Sequence, residues 1–277
     1  MSLNCLRTNR LNLYLQEFTN LLMNSMMNMV IKMKTITSVS NPLVKAWKKL
    51  DTKKGRREAK QFLIEGEHLI EEALRYHRVQ HILLLEGLDH KFLSYDNVIL
   101  VSQKVLDELS STISKAQMMA VCTIEEKEVK TRNRVVLLDG VQDPGNLGTI
   151  VRTAVSFGYD QVILSKECVD LYNEKVVRST QGALFAMSVV IRDLPEEIRA
   201  LKKEGLMVYG TSLHEAVFMK NRKKAQRAAL VLGNEGSGVS DAVLNECDQN
   251  LMIEMDQFES LNVAVAAGIA MYTLRYE

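Results

Sequence analysis

The sequence predicts an α/β protein, with a mostly parallel sheet in its C-terminal half and a smaller α/β domain before it. Two observations carry this expectation. Strand and helix signals alternate twice, before and after the charged stretch "IEEKEVKTRNR" (124–134). After that stretch the strand candidates are continuous apolar runs, as a parallel sheet covered on both faces requires.

In chain order, residues 38–60 read as a cap, Pro42 and a basic helix. "FLIEGEHLIEEAL" (62–74) reads as a strand or turn running into a helix, "HILLL" (81–85) and "NVILVS" (97–102) as strands, and "QKVLDELS" as a short helix. This is a small domain over 33–125, with 126–134 as the linker and 135–277 as the second domain. Strands are expected there at 135–139, 161–165, 184–191, 206–211, 228–233 and 250–255. Residues 1–32 differ: Leu11, Tyr14, Leu15, Phe18 and Leu22 have helical spacing, but Glu17 and repeated asparagines exclude a membrane span or signal sequence. The expectation is that "MSL" is a cloning remnant and that the natural start lies near Met33.

A chain of 277 residues with 47% apolar and 25% charged residues has the composition of a soluble globular protein. Its cysteines (Cys5, Cys122, Cys168, Cys247) are widely separated, with no C-x-x-C and no histidine pair, which favours a reducing cytoplasm and argues against a structural metal. The net charge of +1 conceals segregation. Lys45, Lys48, Lys49, Lys53, Lys54, Arg56, Arg57 and Lys60 crowd one stretch against Asp51 and Glu58. A second run holds Lys220, Arg222, Lys223, Lys224 and Arg227 without an acid. One such run can be a solvated face; two make a polyanion, RNA above all, the better expectation.

"LLDGVQDPGNLGTIVRTAVSFGYDQVIL" (137–164) has the strand–turn–helix–strand form of a nucleotide-binding unit. Gly140, Gly145 and Gly148 do not fit G-x-G-x-x-G, and Asn146 and Leu147 stand where a P-loop needs its lysine and hydroxyl. A nucleotide-dependent oxidoreductase is thereby weakened. Three polar, glycine-containing clusters remain: Asn146 with Arg152, "LVLGNEGSGVS" (230–240) with Gly233 and Glu235, and "IEMDQFESLNVAVAAGIAMYTL" (253–274) with Ser260 and Asn262. Loops past the carboxyl ends of parallel strands converge, so all three can share one site. Each also has a plainer account: turn glycines, Ser260 as a helix cap with Asn262 in the first turn, and Arg152 paired with a surface carboxylate.

In order and spacing, "NLGTIVRTAVSFG", "LVLGNEGSGVS" and "ESLNVAVAAGIAMY" resemble the three motifs of the SpoU, or TrmH, family of RNA ribose 2′-O-methyltransferases, within the SPOUT superfamily. Residues 33–125 also resemble the RNA-binding domain often found in that family, which is similar to a ribosomal-protein fold. The resemblance implies a SPOUT domain with a deep trefoil knot, S-adenosylmethionine as cofactor, a homodimer formed through the last helix, and RNA as substrate. Ribosomal RNA is expected before transfer RNA, with a catalytically inactive RNA-binding protein as the alternative. By resemblance, Arg152 is the activating residue, Asn146, Ser260 and Asn262 shape its surroundings, and Glu235 orders the second motif. Thr211 or Ser212, Gly233, Ile253 and Leu261 would hold the cofactor. The basic residues Lys45, Lys48, Lys49, Lys53, Lys54, Arg56 and Arg57 would meet RNA; neither metal nor membrane is implied. The chain departs from the family pattern at Glu254 (usually proline), at Ala264 (commonly serine), and at Ala116 and Met118, where proline and glycine are frequent.

Overall fold

The computed structural model describes residues 33–275 apart from 113–114, 128 and 258–259. The expected helix within 1–32 lies outside the described residues. The first unit contains β1 (Lys34–Ile36), α1 (Pro42–Lys48), a 3-10 turn (Lys49–Asp51), α2 (Lys53–Ala59), β2 (Gln61–Glu65), α3 (Glu67–Arg75), β3 (Val79–Leu85), β4 (Val98–Val101), α4 (Gln103–Leu109) and β5 (Met118–Thr123). Its five strands lie in the order β1-β4-β3-β5-β2, with β5 antiparallel to both neighbours and the other pairs parallel.

The second unit contains β6 (Arg134–Asp139), α5 (Pro144–Ser156), β7 (Gln161–Leu164), α6 (Glu174–Thr180), α7 (Ala183–Ala186), β8 (Ser188–Ile191), α8 (Leu194–Lys203), β9 (Met207–Thr211), β10 (Val217–Phe218), β11 (Ala228–Gly233), α9 (Asp241–Leu244), β12 (Gln249–Met252) and α10 (Val263–Leu274). Its seven strands run in the order β10-β12-β9-β11-β6-β7-β8, every pair parallel. The expected strand at 184–191 is only half present: its first residues form the single helical turn α7. A continuous apolar run carries no period to separate helix from strand, and here it serves as both. Strands β1, β5 and β10 were not among the expected elements; β1 and β10 are too short for a periodic signal.

The apolar runs have the explanation expected of them. On β6, Val135 and Leu137 join the core under α8 and α9, while Val136 and Leu138 join the core under α5, so alternate residues serve opposite faces. Helix α5 buries Leu147, Ile150, Val151 and Ala154, at helical spacing, in that second core. Each large apolar side chain so buried contributes about 1.5–3 kcal/mol. Gly148 sits at the contact of α5 with α6, where a Cβ would lie 2.3 Å from that of Ser179. Gly148, which fits no phosphate-binding pattern, thus serves helix packing. The same core continues into the first unit through Phe62, Ile64, Ile70 and Leu84, and at the junction the Phe62 ring meets Tyr172 at a tilt (centroids 4.8 Å) and stacks with Phe185 (6.2 Å).

Candidate active site at the carboxyl edge of the parallel sheet

Because every strand of the larger sheet points the same way, β12, β9, β11 and β6, which are consecutive neighbours, end on one edge. Three loops leave that edge, and one chain of side chains ties them together. Asp143 caps α5, its Oδ1 accepting from the Asn146 amide (2.8 Å), with Pro144 in the first turn. Asn262 caps α10, its Oδ1 accepting from the backbone N–H of Ala264 (2.9 Å) and Val265 (3.3 Å). Its Nδ2 then donates to Asn146 Oδ1 (3.0 Å), and Asn146 Nδ2 donates to Glu235 Oε1 (2.9 Å). Glu235 also accepts from the backbone N–H of Gln142 (3.2 Å) and Asp143 (3.1 Å).

Burial pushes the Glu235 carboxyl up, but hydrogen bonds from Asn146 and from the backbone of Glu235, Asp143 and Gln142 outweigh it and hold the group below the usual carboxylate range. Glu235 is therefore a charged acceptor that organises the first motif's loop, rather than a group that orders only its own segment. The cap of the last helix is Asn262, and Ser260 stands exposed ahead of it with Leu261.

The loop after β11 is a tight return. Asn234 and Gly238 pair antiparallel, Asn234 Nδ2 donates to the Gly140 carbonyl (2.7 Å), and Asp139 Oδ2 accepts from both the N–H (2.8 Å) and Oγ (2.7 Å) of Ser240. A Cβ on Gly233 would fall 2.0 Å from the Gly238 carbonyl carbon, so the glycine is required by the chain folding back on itself. Asp139 and Asp143 do not stand out in the sequence reading, although Asp-Pro ahead of a helix and polar residues at strand ends were available signals.

Arg152 lies on the exposed stripe of α5, six residues and about 9 Å along the axis from Asn146. Among the described residues none pairs with its guanidinium, so the surface ion pair considered for it is absent. The proposed cofactor residues fall at adjacent strand ends. Thr211 closes β9, its Oγ1 donating to the Val231 carbonyl (2.9 Å), and the N–H of Ser212 donates to the Leu251 carbonyl (3.1 Å). Gly233 closes β11, and Ile253 follows β12, half-buried against the core. With Leu261 these residues offer neutral backbone groups, hydroxyls and apolar surface. That donor set suits a nucleoside better than a polyphosphate. Burial pushes the Cys168 thiol up, and that of Cys247 up to about 12, so neither is an activated nucleophile.

The basic residues divide. Lys45, Lys49, Lys53, Lys54 and Arg57 are exposed, whereas Lys48 is half-buried and faces Asp51 (3.0 Å) and Glu108 (3.8 Å). Arg56, expected with them to meet RNA, is instead 8% exposed, and its guanidinium bonds Asp170 and the carbonyls of Leu50 and Asp51. The second run is largely engaged as well. Arg222 donates to the carbonyls of Met219 and Thr273, Arg227 to those of Glu204 and Arg132, and Lys220 pairs with Glu254. Among the described residues there is no group of three or more potential metal ligands, and no helix is long and apolar enough to cross a membrane.

A sequence profile of the SpoU rRNA methylase family matches residues 133–272, and one of the MRM3-like substrate binding domain matches residues 41–120. The 23S rRNA (guanosine(2553)-2′-O)-methyltransferase of Bacillus subtilis is 43% identical over 88% of this chain and 100% of its own length. Among solved structures, an AdoMet-bound rRNA methyltransferase from Sinorhizobium meliloti is 29% identical, with a TM-score of 0.78 over 88% of this chain and 97% of that one. The SpoU methyltransferase AviRb from Streptomyces viridochromogenes, in complex with the cofactor AdoMet, is 26% identical, with a TM-score of 0.76 over 85% of this chain and 97% of that one.

Proposed function

This chain belongs to the SpoU rRNA methylase family, and from that premise we propose that it transfers a methyl group from S-adenosylmethionine to a ribose 2′-hydroxyl of structured RNA, ribosomal RNA above all. The observation that carries the proposal is the hydrogen-bonded chain Asn262–Asn146–Glu235, which unites the three family motifs at one sheet edge. S-adenosylmethionine supplies an electrophilic methyl group on a sulfonium.

Thr211, Ser212, Gly233, Ile253 and Leu261 would hold the cofactor by neutral and apolar contacts. A guanidinium such as that of Arg152 is poorly suited to take a proton. Its role in this reading is to grip the phosphate next to the target ribose and to stabilise negative charge as it grows on the 2′-oxygen, while the hydroxyl proton leaves to that phosphate or to water. Ser260, exposed beside Asn262, borders the same space. Lys45, Lys49, Lys53, Lys54 and Arg57, within the 33–125 domain, would draw in the RNA backbone.

A homodimer belongs to the same reading. Val265, Ile269 and Tyr272 recur at helical spacing and are 52%, 40% and 53% exposed, an apolar stripe along α10 that a second copy would cover. The deep trefoil knot implied by the motifs belongs to the same reading. A cytoplasmic location is supported by the three described cysteines being unpaired.

The test is transfer of labelled methyl from S-adenosylmethionine to unmodified ribosomal and transfer RNA, followed by nucleoside analysis. Label in a 2′-O-methyl nucleoside of ribosomal RNA is expected. Label in transfer RNA would move the substrate, label on a base would overturn the ribose, and cofactor binding without transfer would leave an inactive RNA-binding protein.

A further inference from the structure

Arg56 is the one member of the basic stretch 45–60 that is buried, and its partners lie in two different units. Its Nη1 donates to the carbonyls of Leu50 (2.7 Å) and Asp51 (3.0 Å), at the 3-10 turn from which α2 departs. Its Nε (3.1 Å) and Nη2 both donate to Oδ2 of Asp170, 114 residues away in the second unit. The two side chains are only 9% and 18% exposed. Burying such a pair removes two charges from water and gives little net stability, whereas its planar geometry constrains direction closely. The neighbouring contacts of Phe62 with Tyr172 and Phe185 have no such directionality and would tolerate sliding.

The segment that carries Asp170 is fastened to the active-site loop. The N–H of Ser165 donates to the Leu138 carbonyl (2.9 Å), the N–H of Gly140 to Ser165 Oγ (3.0 Å), Cys168 Sγ to the Leu138 carbonyl (3.2 Å), and the N–H of Val169 to the Val141 carbonyl (3.0 Å). The next two residues, Gln142 and Asp143, give their N–H groups to Glu235. A continuous path of short bonds therefore runs from the turn ahead of α2 to the Glu235–Asn146–Asn262 chain.

We infer that Arg56 and Asp170 are positioning residues that fix the direction of basic helix α2 relative to the active-site loop 140–146, so that RNA held at one presents its ribose to the other. The inference rests on the proposed methyl transfer. It requires Arg56 to act through Asp170 rather than on RNA.

The experiment uses the full chain with Arg56→Met, Asp170→Asn and the double variant; Asp170→Asn keeps the side-chain shape should the first fold poorly. Each single variant should lose at least about tenfold in kcat/KM on ribosomal RNA, while the Kd for S-adenosylmethionine moves less than about twofold. The double variant should be no worse than the weaker single, and the amides of 140–143 should exchange faster with solvent in all three. Unchanged kcat/KM, losses that multiply in the double variant, or a parallel loss of cofactor affinity would overturn the inference. Should the wild-type protein methylate no RNA, the proposed function alone fails, and the exchange rates still decide: faster exchange at 140–143 upholds the coupling, unchanged exchange overturns it.

Discussion

The two sheets treat polar residues in opposite ways. In the five-stranded sheet only β5 runs against the others, so its start lies among the ends of the other four strands and its own end lies among their starts. Its conspicuous polar feature is on a helix: Lys53, Lys54 and Arg57 stand in solvent on α2. In the seven-stranded sheet all ends fall together, and Asp139, Thr211 and Gly233 meet there with the caps of α5 and α10. The larger sheet thus gathers its polar groups at one edge, whereas the first unit carries its exposed charge on a helix, where it acts at a distance. Transfer chemistry and RNA attraction should therefore be separable by mutation.

The sharpest separation is expected from Arg152→Ala, which should lower methyl transfer about 10²–10³-fold while the Kd for S-adenosylmethionine, read by calorimetry, stays within about twofold. Equal losses in both would make Arg152 structural. Gly233→Ala should cost about 3 kcal/mol or more in thermal unfolding and abolish cofactor binding, because the obstructing atoms are backbone; a stable variant would refute the closed return at 233–238. On the other side of the comparison, Lys53→Ala, Lys54→Ala and Arg57→Ala combined should make the log–log salt slope of RNA binding shallower by about 3, with cofactor affinity untouched. No change in slope would remove α2 from the RNA surface.

The smallest effect is expected at Glu235→Gln, about 1 kcal/mol, since Glu235 is exposed and its bonds compete with water. Its pH dependence is more telling. A carboxyl held below its unfolded value stabilises the folded state at neutral pH, and that stabilisation is lost as pH falls through the lowered folded value. Unfolding measured from neutral pH down into the carboxylate range should thus fall less steeply for the variant than for the wild type. Parallel curves would mean that the Glu235 hydrogen bonds do not form in solution.

The α/β class and the parallel sheet could be read from the sequence because strands covered on both faces are apolar throughout, as Val135 to Leu138 are. Asn146, Glu235 and Asn262 could be read because polar residues beside glycines at strand ends are conspicuous. What could not be read was the direction of each bond: that Asn262 rather than Ser260 caps α10, and that Glu235 reaches back to the 142–143 amides, depends on where loops close in space. The two basic runs make the same point. Both look like polyanion surfaces, yet Arg222 and Arg227 are engaged by backbone carbonyls and Arg56 by Asp170, and those partners lie far off in sequence. Nor did the sequence reveal that the two units share one apolar core, which removal of residues 33–125 would lay open.

The bond between Asn262 and Asn146 spans 116 residues, and it is the link that brings the third motif to the first. During synthesis the loop at 142–146 emerges long before the helix that completes it. Until α10 has been made and docked on α5, Asn146 lacks one of its two side-chain partners and the third motif is missing from the edge of the sheet. Competence therefore arrives abruptly and late in the life of the nascent chain. A ribosome making this protein would carry no working copy of it until the final described helix had left the tunnel.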